Sequence, residues 1–312
     1  MMNENAETTY SLVVPVYNGS KSIEELSIRI HEVFAALNEK YEIIFVDDFS
    51  KDNSWKVMTE LHEKNKNIKI VRLMRNFGQH NAIMCGLHMI SGKYVILLDD
   101  DLQNPPEEIP KLISEIKQGY DAVIGALDEK KDTVIKKLGS NFILYLNGKI
   151  FNKPKHIKLS SFQIFTRELA EQITILKTPY PYITGMLLSI TTNIENVTVK
   201  HENRRHGKSN YDLGKLIKLA FNLVINYTSL PLRVLTFGGV IISSLSFGAG
   251  IFFIFRKLFD KIEVPGWTSV VVLLSFFNGL LLIVLSIVGE YLARIIGEVS
   301  NRQQFVIREK HF

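Results

Sequence analysis

The chain has 312 residues, room for one large folded domain plus a smaller element, and a net charge of +5 from 37 Lys and Arg against 32 Asp and Glu. The basic residues are scattered and no nucleic-acid motif appears, so the charge suits an anionic leaflet or phosphate groups and points to no nucleic-acid partner. A lone cysteine, Cys85, can form no internal disulfide, which suits a reducing compartment.

In chain order, the polar and acidic start MMNENAETTY has no signal-peptide character, so the N-terminal domain is expected to stay in the cytoplasm. Over the first 125 residues, short Val/Ile/Leu-rich runs alternate with helical patterns. Strands are predicted at Ser11–Val16, Glu42–Val46, Ile68–Leu73, Tyr94–Leu98 and Ala122–Ile124. Helices are predicted near Ser22–Asn38, Asp52–Lys64, His80–Ile90 and Pro106–Gln118. Ser22-x-x-Glu25 reads as a capping box and Pro105-Pro106-Glu107-Glu108 as a helix first turn. This alternation predicts an α/β fold, a mostly parallel sheet with helices on both faces. Residues 126–210 are less regular, with a helix around Thr133–Phe151 and strands near Phe162–Phe165 and Ile194–Val199.

Tyr211–Tyr227 is amphipathic and reads as a helix on a membrane surface, with a core helix as the alternative. Val234–Phe255 and Trp267–Gly289 then contain no Asp, Glu, Lys or Arg, and each exceeds the roughly 20 apolar residues that cross a bilayer. Two transmembrane helices are expected, flanked by Arg233, Arg256-Lys257, Trp267 and Arg294. The predicted organisation is therefore a catalytic domain over 1–210, a juxtamembrane helix over 211–233, two spans with a short loop over 234–290, and a tail over 291–312. Two spans return the tail to the side of the catalytic domain. Gly239-x-x-x-Ser243 and Ser246-x-x-x-Gly250 permit close helix contact, so a homo-oligomer is a possible partner state.

In open α/β sheets ligands bind beyond the carboxyl ends of the strands. Carboxylates follow two of these ends, Asp47-Asp48 after Val46 and Asp99-Asp100-Asp101 after Leu98. Three consecutive carboxylates repel one another unless a cation offsets them. Side chains alternate, so Asp99 and Asp101 share a side, and two carboxylates together suit Mg²⁺ or Mn²⁺ bound also to substrate phosphates. Asp101 could instead cap the next helix. Neither GxGxxG nor GxxxxGK[ST] is present, which argues against dinucleotide and P-loop sites. His201 and His206 fit no usual zinc spacing.

Five segments in order carry a family resemblance: Ser11-Leu-Val-Val-Pro-Val-Tyr-Asn18, Val46-Asp-Asp-Phe-Ser-Lys-Asp52, Arg75-Asn-Phe-Gly-Gln79, Asp99-Asp-Asp-Leu-Gln-Asn-Pro-Pro-Glu107 and Arg204-Arg-His-Gly-Lys-Ser-Asn-Tyr211. Together they resemble family 2 glycosyltransferases, in particular the branch similar to dolichyl-phosphate mannose synthase. The two spans and Gly289-Glu-Tyr-Leu-Ala-Arg294 resemble its bacterial polyprenyl-phosphate members. The resemblance implies a GT-A-like fold with a Rossmann-like nucleotide-binding half. It places a metal on Asp99, Asp101 and Gln103, and the nucleoside near Pro15, Tyr17, Asn18 and Asp47 or Asp48. It puts Arg75 and Gln79 near the nucleotide, and Arg204 and Ser209 near the diphosphate or acceptor phosphate. Implied with these are a nucleotide-sugar donor, a polyprenyl-phosphate acceptor, membrane lipids as surroundings, and a multi-pass location in a bacterial plasma membrane with the catalytic domain cytoplasmic.

Two departures stand out. Where the related proteins usually carry GxRxxR, this chain has Gly125-Ala-Leu-Asp-Glu-Lys130, which leaves Lys130 as a point charge in place of a bidentate grip. Where they often carry an acid and an arginine, it has Ser161 and Gln163, with Arg167 or Arg205 as possible compensation. A phosphate acceptor is already anionic and needs no general base, which fits the missing acid. A hydroxyl acceptor would need one, with Asp100 or Asp128 the remaining candidates. The alternatives are thus a membrane glycosyltransferase acting on a saccharide or lipid hydroxyl, or a non-catalytic nucleotide-binding scaffold.

Overall fold

The structure, a computed structural model, describes residues 8–127, 153–154, 156–176, 178, 181–202, 266–299 and 303–312, with scattered residues between 231 and 248. The chain divides into two compact units, Met1–Asp212 with Arg302–Phe312, and Leu213–Asn301.

The first unit is built on an eight-stranded sheet of order β7-β5-β6-β4-β1-β2-β3-β8. Its strands are β1 Tyr10–Val16, β2 Tyr41–Asp47, β3 Ile68–Leu73, β4 Tyr94–Leu97, β5 Ala122–Leu127, β6 Gln163–Thr166, β7 Ile194–Val199 and β8 Ile307–His311. β4, β1, β2 and β3 run parallel, as do β5 and β7, while β6 and β8 run antiparallel to their neighbours. Every residue of β1 and β2 is buried, the pattern of strands covered on both faces.

Helices α1 Ile23–Leu37, α2 Ser54–Lys64, α3 Gln79–Leu87 and α4 Ile109–Ile116, the last preceded by a 3-10 turn at Pro106–Glu108, follow the strands in alternation. In α1 the buried positions Ile23, Leu26, Ile30, Val33 and Phe34 recur at helical spacing, and burial of each such side chain stabilises by about 1.5–3 kcal/mol. Asn38 ends the helix in the left-handed region at φ 52°, where asparagine is well tolerated. The capping box does not form: the Ser22 hydroxyl donates to Gly19 O at 3.1 Å instead of accepting from the helix.

Three described elements lie beyond the sequence reading. α5 Arg167–Ile175 is capped by Thr166, whose Oγ1 accepts from Leu169 N at 3.3 Å, and α6 spans Ile183–Ile190. The tail closes the sheet edge: β8 pairs with β3, Met74 N donates to Val306 O at 2.8 Å, and Gln304 Nε2 donates to Thr178 O at 2.8 Å. β8 escapes a pattern reading because it is an edge strand with exposed Arg308, Lys310 and His311, the charged chemistry that keeps edges from pairing further.

Among the described residues of the second unit one helix, α7 Trp267–Val299, is long and apolar enough to cross a membrane, through Phe276–Ala293 with none of that stretch buried. The expected helix at Thr133–Phe151 and the amphipathic segment at Tyr211–Tyr227 lie outside the described residues. So does most of the span expected at Val234–Phe255.

Candidate active site

Three adjacent parallel strands, β4, β1 and β2, end at one rim, with Pro15 beside Val46 and Val16 beside Asp47. The connection from β1 leads to β2 on one side while β4 flanks it on the other, so the rim sits at a topological switch point. Each strand end is followed by a non-glycine residue in the left-handed region: Asn18 at φ 57°, Phe49 at φ 62° and Leu102 at φ 60°. For Phe and Leu this conformation costs on the order of 1–2 kcal/mol, and such strain gathers at functional sites. No sequence pattern announces it, because neither residue type favours the conformation it adopts.

The β1 and β2 loops are laced together. Ser50 Oγ accepts from Asn18 N at 2.9 Å, Asn18 Oδ1 accepts from Lys51 N at 2.8 Å, and Ser54 Oγ accepts from Gly19 N at 2.9 Å. Asp52 Oδ2 takes Ser20 N at 3.1 Å; burial raises its pKa, but the donors Ser54 and Ser20 outweigh this and hold it lower. Pro15 is buried in β1, whereas Tyr17 stands 47% exposed on the rim.

Asp47 and Asp48 turn inward. Asp47 is fully buried; its Oδ1 accepts from Ser50 N at 2.9 Å, and Arg72 Nε lies 3.2 Å from Oδ2 as an ion pair without hydrogen-bond alignment. Asp48 accepts from Phe77 N at 2.7 Å and Gly78 N at 2.8 Å, fastening the 75–79 loop. Burial raises the Asp48 pKa, those two N–H groups pull it down, and the neighbouring Asp47 charge pushes it up, leaving it raised overall. Arg75 lies over the Phe77 ring at 4.7 Å.

The β4 carboxylates behave differently. Asp99 Oδ1 accepts from Gln79 Nε2 at 2.7 Å and Oδ2 from Ser161 Oγ at 2.5 Å. Asp100 points toward the β1 loop, so that a Cβ on Gly19 would lie 2.3 Å from Asp100 Oδ2 and the carboxylate would have to shift to admit it. Asp101 Oδ1 accepts from Gln103 N at 3.1 Å, a local turn bond rather than a helix cap. Gln79, expected near the nucleotide, therefore sits against Asp99, and Gln103 meets Asp101 through its backbone.

β7 ends at the same rim: Glu202 N donates to Gln103 O at 2.9 Å, and Arg29 of α1 grips Glu107 bidentately, Nε and Nη2 donating to its two carboxylate oxygens at 2.8 and 2.7 Å. Arg204, Ser209 and Lys130 lie outside the described residues. Arg167 cannot compensate for the missing arginine. Antiparallel β6 carries it to the opposite end of β4, where its Nε donates to Glu171 at 2.9 Å and its Nη1 to Ser91 O at 3.1 Å.

Among the described residues no group of three or more His, Cys, Asp or Glu converges as a metal cage. Asp99 and Asp101 on one strand end are hard oxygen donors, too few to enclose an ion. That fits Mg²⁺ or Mn²⁺, which keep several waters and share substrate phosphates. Cys85 is no nucleophile: it is buried, and burial pushes its pKa up to about 12.

Residues 11–174 match the model of Glycosyl transferase family 2. The chain belongs to this family. It is a glycosyltransferase, as its relatives are named. It is 30% identical over 303 residues to the uncharacterized glycosyltransferase YkcC of Bacillus subtilis, covering 97% of this chain and 94% of that one. It is 32% identical over 305 residues to the undecaprenyl-phosphate 4-deoxy-4-formamido-L-arabinose transferase of Yersinia enterocolitica, covering 96% and 92%. The fold is similar to that of glucosyl-3-phosphoglycerate synthase from Mycobacterium tuberculosis, with TM-score 0.53, 19% identity and coverage of 72% of this chain and 80% of that one. That enzyme has also been crystallised with Mn²⁺, uridine diphosphate and glucosyl-3-phosphoglycerate.

Proposed function

We propose that this glycosyltransferase moves a sugar from a nucleotide diphosphate to a polyprenyl phosphate, undecaprenyl phosphate in the first instance, at the cytoplasmic face of a bacterial plasma membrane. The observation that carries the reading is the rim itself, where the Asp99–Asp101 strand end faces the laced β1 and β2 loops in a family 2 chain. The relatives named as undecaprenyl-phosphate transferases match 96% of this chain, which supports the lipid acceptor.

In this reading Tyr17 and Asn18 receive the nucleoside, and Asp47 and Asp48 act on it through the loops they hold. Arg75, Lys130, Arg204 and Ser209 serve the phosphates. Asp99, Asp101 and Gln103 hold a divalent cation, which supplies Lewis-acid compensation for charge on the departing nucleotide diphosphate. The acceptor phosphate oxygen attacks the anomeric carbon opposite the diphosphate. One C–O bond forms, the other breaks, and configuration inverts. With Ser161 in place of an acid, no base is supplied there for a hydroxyl acceptor, which favours an acceptor that arrives already ionised.

The tail supports two crossings. β8 pairs with β3, so 303–312 lie on the same side of any membrane as the sheet. A chain that leaves after 212 and returns by 302 crosses an even number of times. With Phe276–Ala293 as one span, the uncharged run Val234–Phe255 is the natural second.

The test is to incubate membranes holding the full chain with labelled nucleotide sugars, undecaprenyl phosphate and Mg²⁺ or Mn²⁺. A solvent-extractable, mild-acid-labile lipid monophosphate sugar is expected, and it should vanish in Asp101→Ala. Label appearing only in an alkali-stable saccharide would refute the lipid-phosphate acceptor.

A further inference from the structure

We infer that Ser161 and Gln79 form a two-sided clamp on Asp99, positioning its carboxylate for the cation and diphosphate; this rests on the metal-site reading above. The two donors come from unrelated parts of the chain. Gln79 is the first residue of α3, and Ser161 leads into β6. Antiparallel pairing sets Gln163 beside Leu97, so two residues further along each strand Ser161 meets Asp99, with the hydroxyl 2.5 Å from Oδ2. Gln79 reaches Oδ1 at 2.7 Å from the other side. An ionised carboxylate only accepts, so the Gln79 amide must present its NH₂ group and Ser161 its O–H.

The lead-in to β6 is itself fastened. Ser160 Oγ accepts from Phe162 N at 3.1 Å, and Phe162 O accepts from Gly125 N at 2.9 Å. Phe162 is fully buried, so the turn that presents Ser161 is anchored in the core. Gln79 is fixed through its neighbours, because Asp48 holds Phe77 N and Gly78 N. Both donors are neutral and leave the Asp99 charge intact. An acid at 161 would instead be a like charge within hydrogen-bond reach of Asp99. The serine thus turns a repelling neighbour into an orienting one. Two donors reaching its two oxygens from opposite sides fix the plane of the Asp99 carboxylate. Partners of this kind, one step removed from the ion, commonly change metal affinity by about 10- to 100-fold.

The test titrates Mn²⁺ into the purified full-length protein in detergent, reading free Mn²⁺ by electron paramagnetic resonance. Ser161→Ala should weaken Mn²⁺ binding about tenfold with an unchanged thermal midpoint, and Ser161→Thr, which keeps the hydroxyl, should restore it to within about threefold. Gln79→Leu, on a separate element, should weaken binding in the same direction. Wild-type affinity in Ser161→Ala, or a Thr variant as weak as the Ala variant, would overturn the clamp while Asp99→Ala still abolishes binding. Equal Mn²⁺ binding by wild type, Asp99→Ala and Asp101→Ala would overturn the metal-site reading itself, and the clamp with it.

Discussion

Two strand ends of this protein carry aspartates, and they use them in opposite ways. After β2, Asp47 and Asp48 are 0% and 2% exposed, and their carboxylates are spent on Ser50 N, Phe77 N and Gly78 N. After β4, Asp99 is partly exposed and is met by two side chains, Gln79 and Ser161, while Asp100 faces the β1 loop. In the first pair the charge organises loops from within. In the second it stays at the rim, where side chains from other elements meet it. The 77–80 segment joins them, since its backbone is held by Asp48 and its first helical side chain holds Asp99.

The largest effect that would sharpen this contrast is on transfer. Asp101→Ala should lower the rate at least about a thousandfold, the several kcal/mol that charge compensation supplies, with stability within about 1 kcal/mol of wild type. Radiolabel transfer and thermal unfolding, measured on one preparation, check both halves. Asp48→Ala should show the reverse order, losing about 3 kcal/mol because two loop N–H groups lose their acceptor, with transfer falling secondarily through Gln79. If Asp48→Ala were as stable as wild type and inactive, the division between the two strand ends would collapse.

Gly19→Ala tests the seam between the regions. The new methyl would sit where the Asp100 carboxylate lies, so that carboxylate must shift, and an increase in KM for the donor is expected. A crystal structure of the variant with Asp100 unmoved would contradict it.

His80, in the first turn of α3 and edge-on to Tyr182 at 5.5 Å between ring centroids, gives a pH signature. Burial lowers its pKa from 6.5 to about 4. The folded state therefore favours the neutral ring. Its contribution is fully present above pH 6.5 and is lost as pH falls toward 4, by up to about 3 kcal/mol. His80→Phe should flatten the stability profile across that window, as thermal midpoints at successive pH values would report. The smallest effect belongs to the tail: Glu309, 41% exposed and 3.6 Å from Arg72, should cost no more than about 0.5 kcal/mol when changed to Ala in chemical unfolding.

Much of the frame was legible before any coordinates. Ile68–Leu73 and Ile194–Val199 fall where their β-branched runs predict, and the four helices of the first half begin and end within a few residues of their patterns. Buried parallel strands need continuous apolar runs, and that demand writes itself into the sequence. α5 and α6 escaped because they are short and sit in a stretch without sustained periodicity. β8 escaped because an edge strand need not be apolar.

By itself, then, the sequence determined the α/β class, the strand ends that carry carboxylates, the uncharged runs and the family resemblance. These follow from local composition, spacing and the order of motifs. The tertiary structure decided which carboxylates are spent and which are presented. It also decided that Ser161 and not Arg167 reaches the rim, and that the C-terminal strand rejoins the sheet. Those outcomes depend on antiparallel register and on backbone donors far away in sequence, which no local pattern encodes.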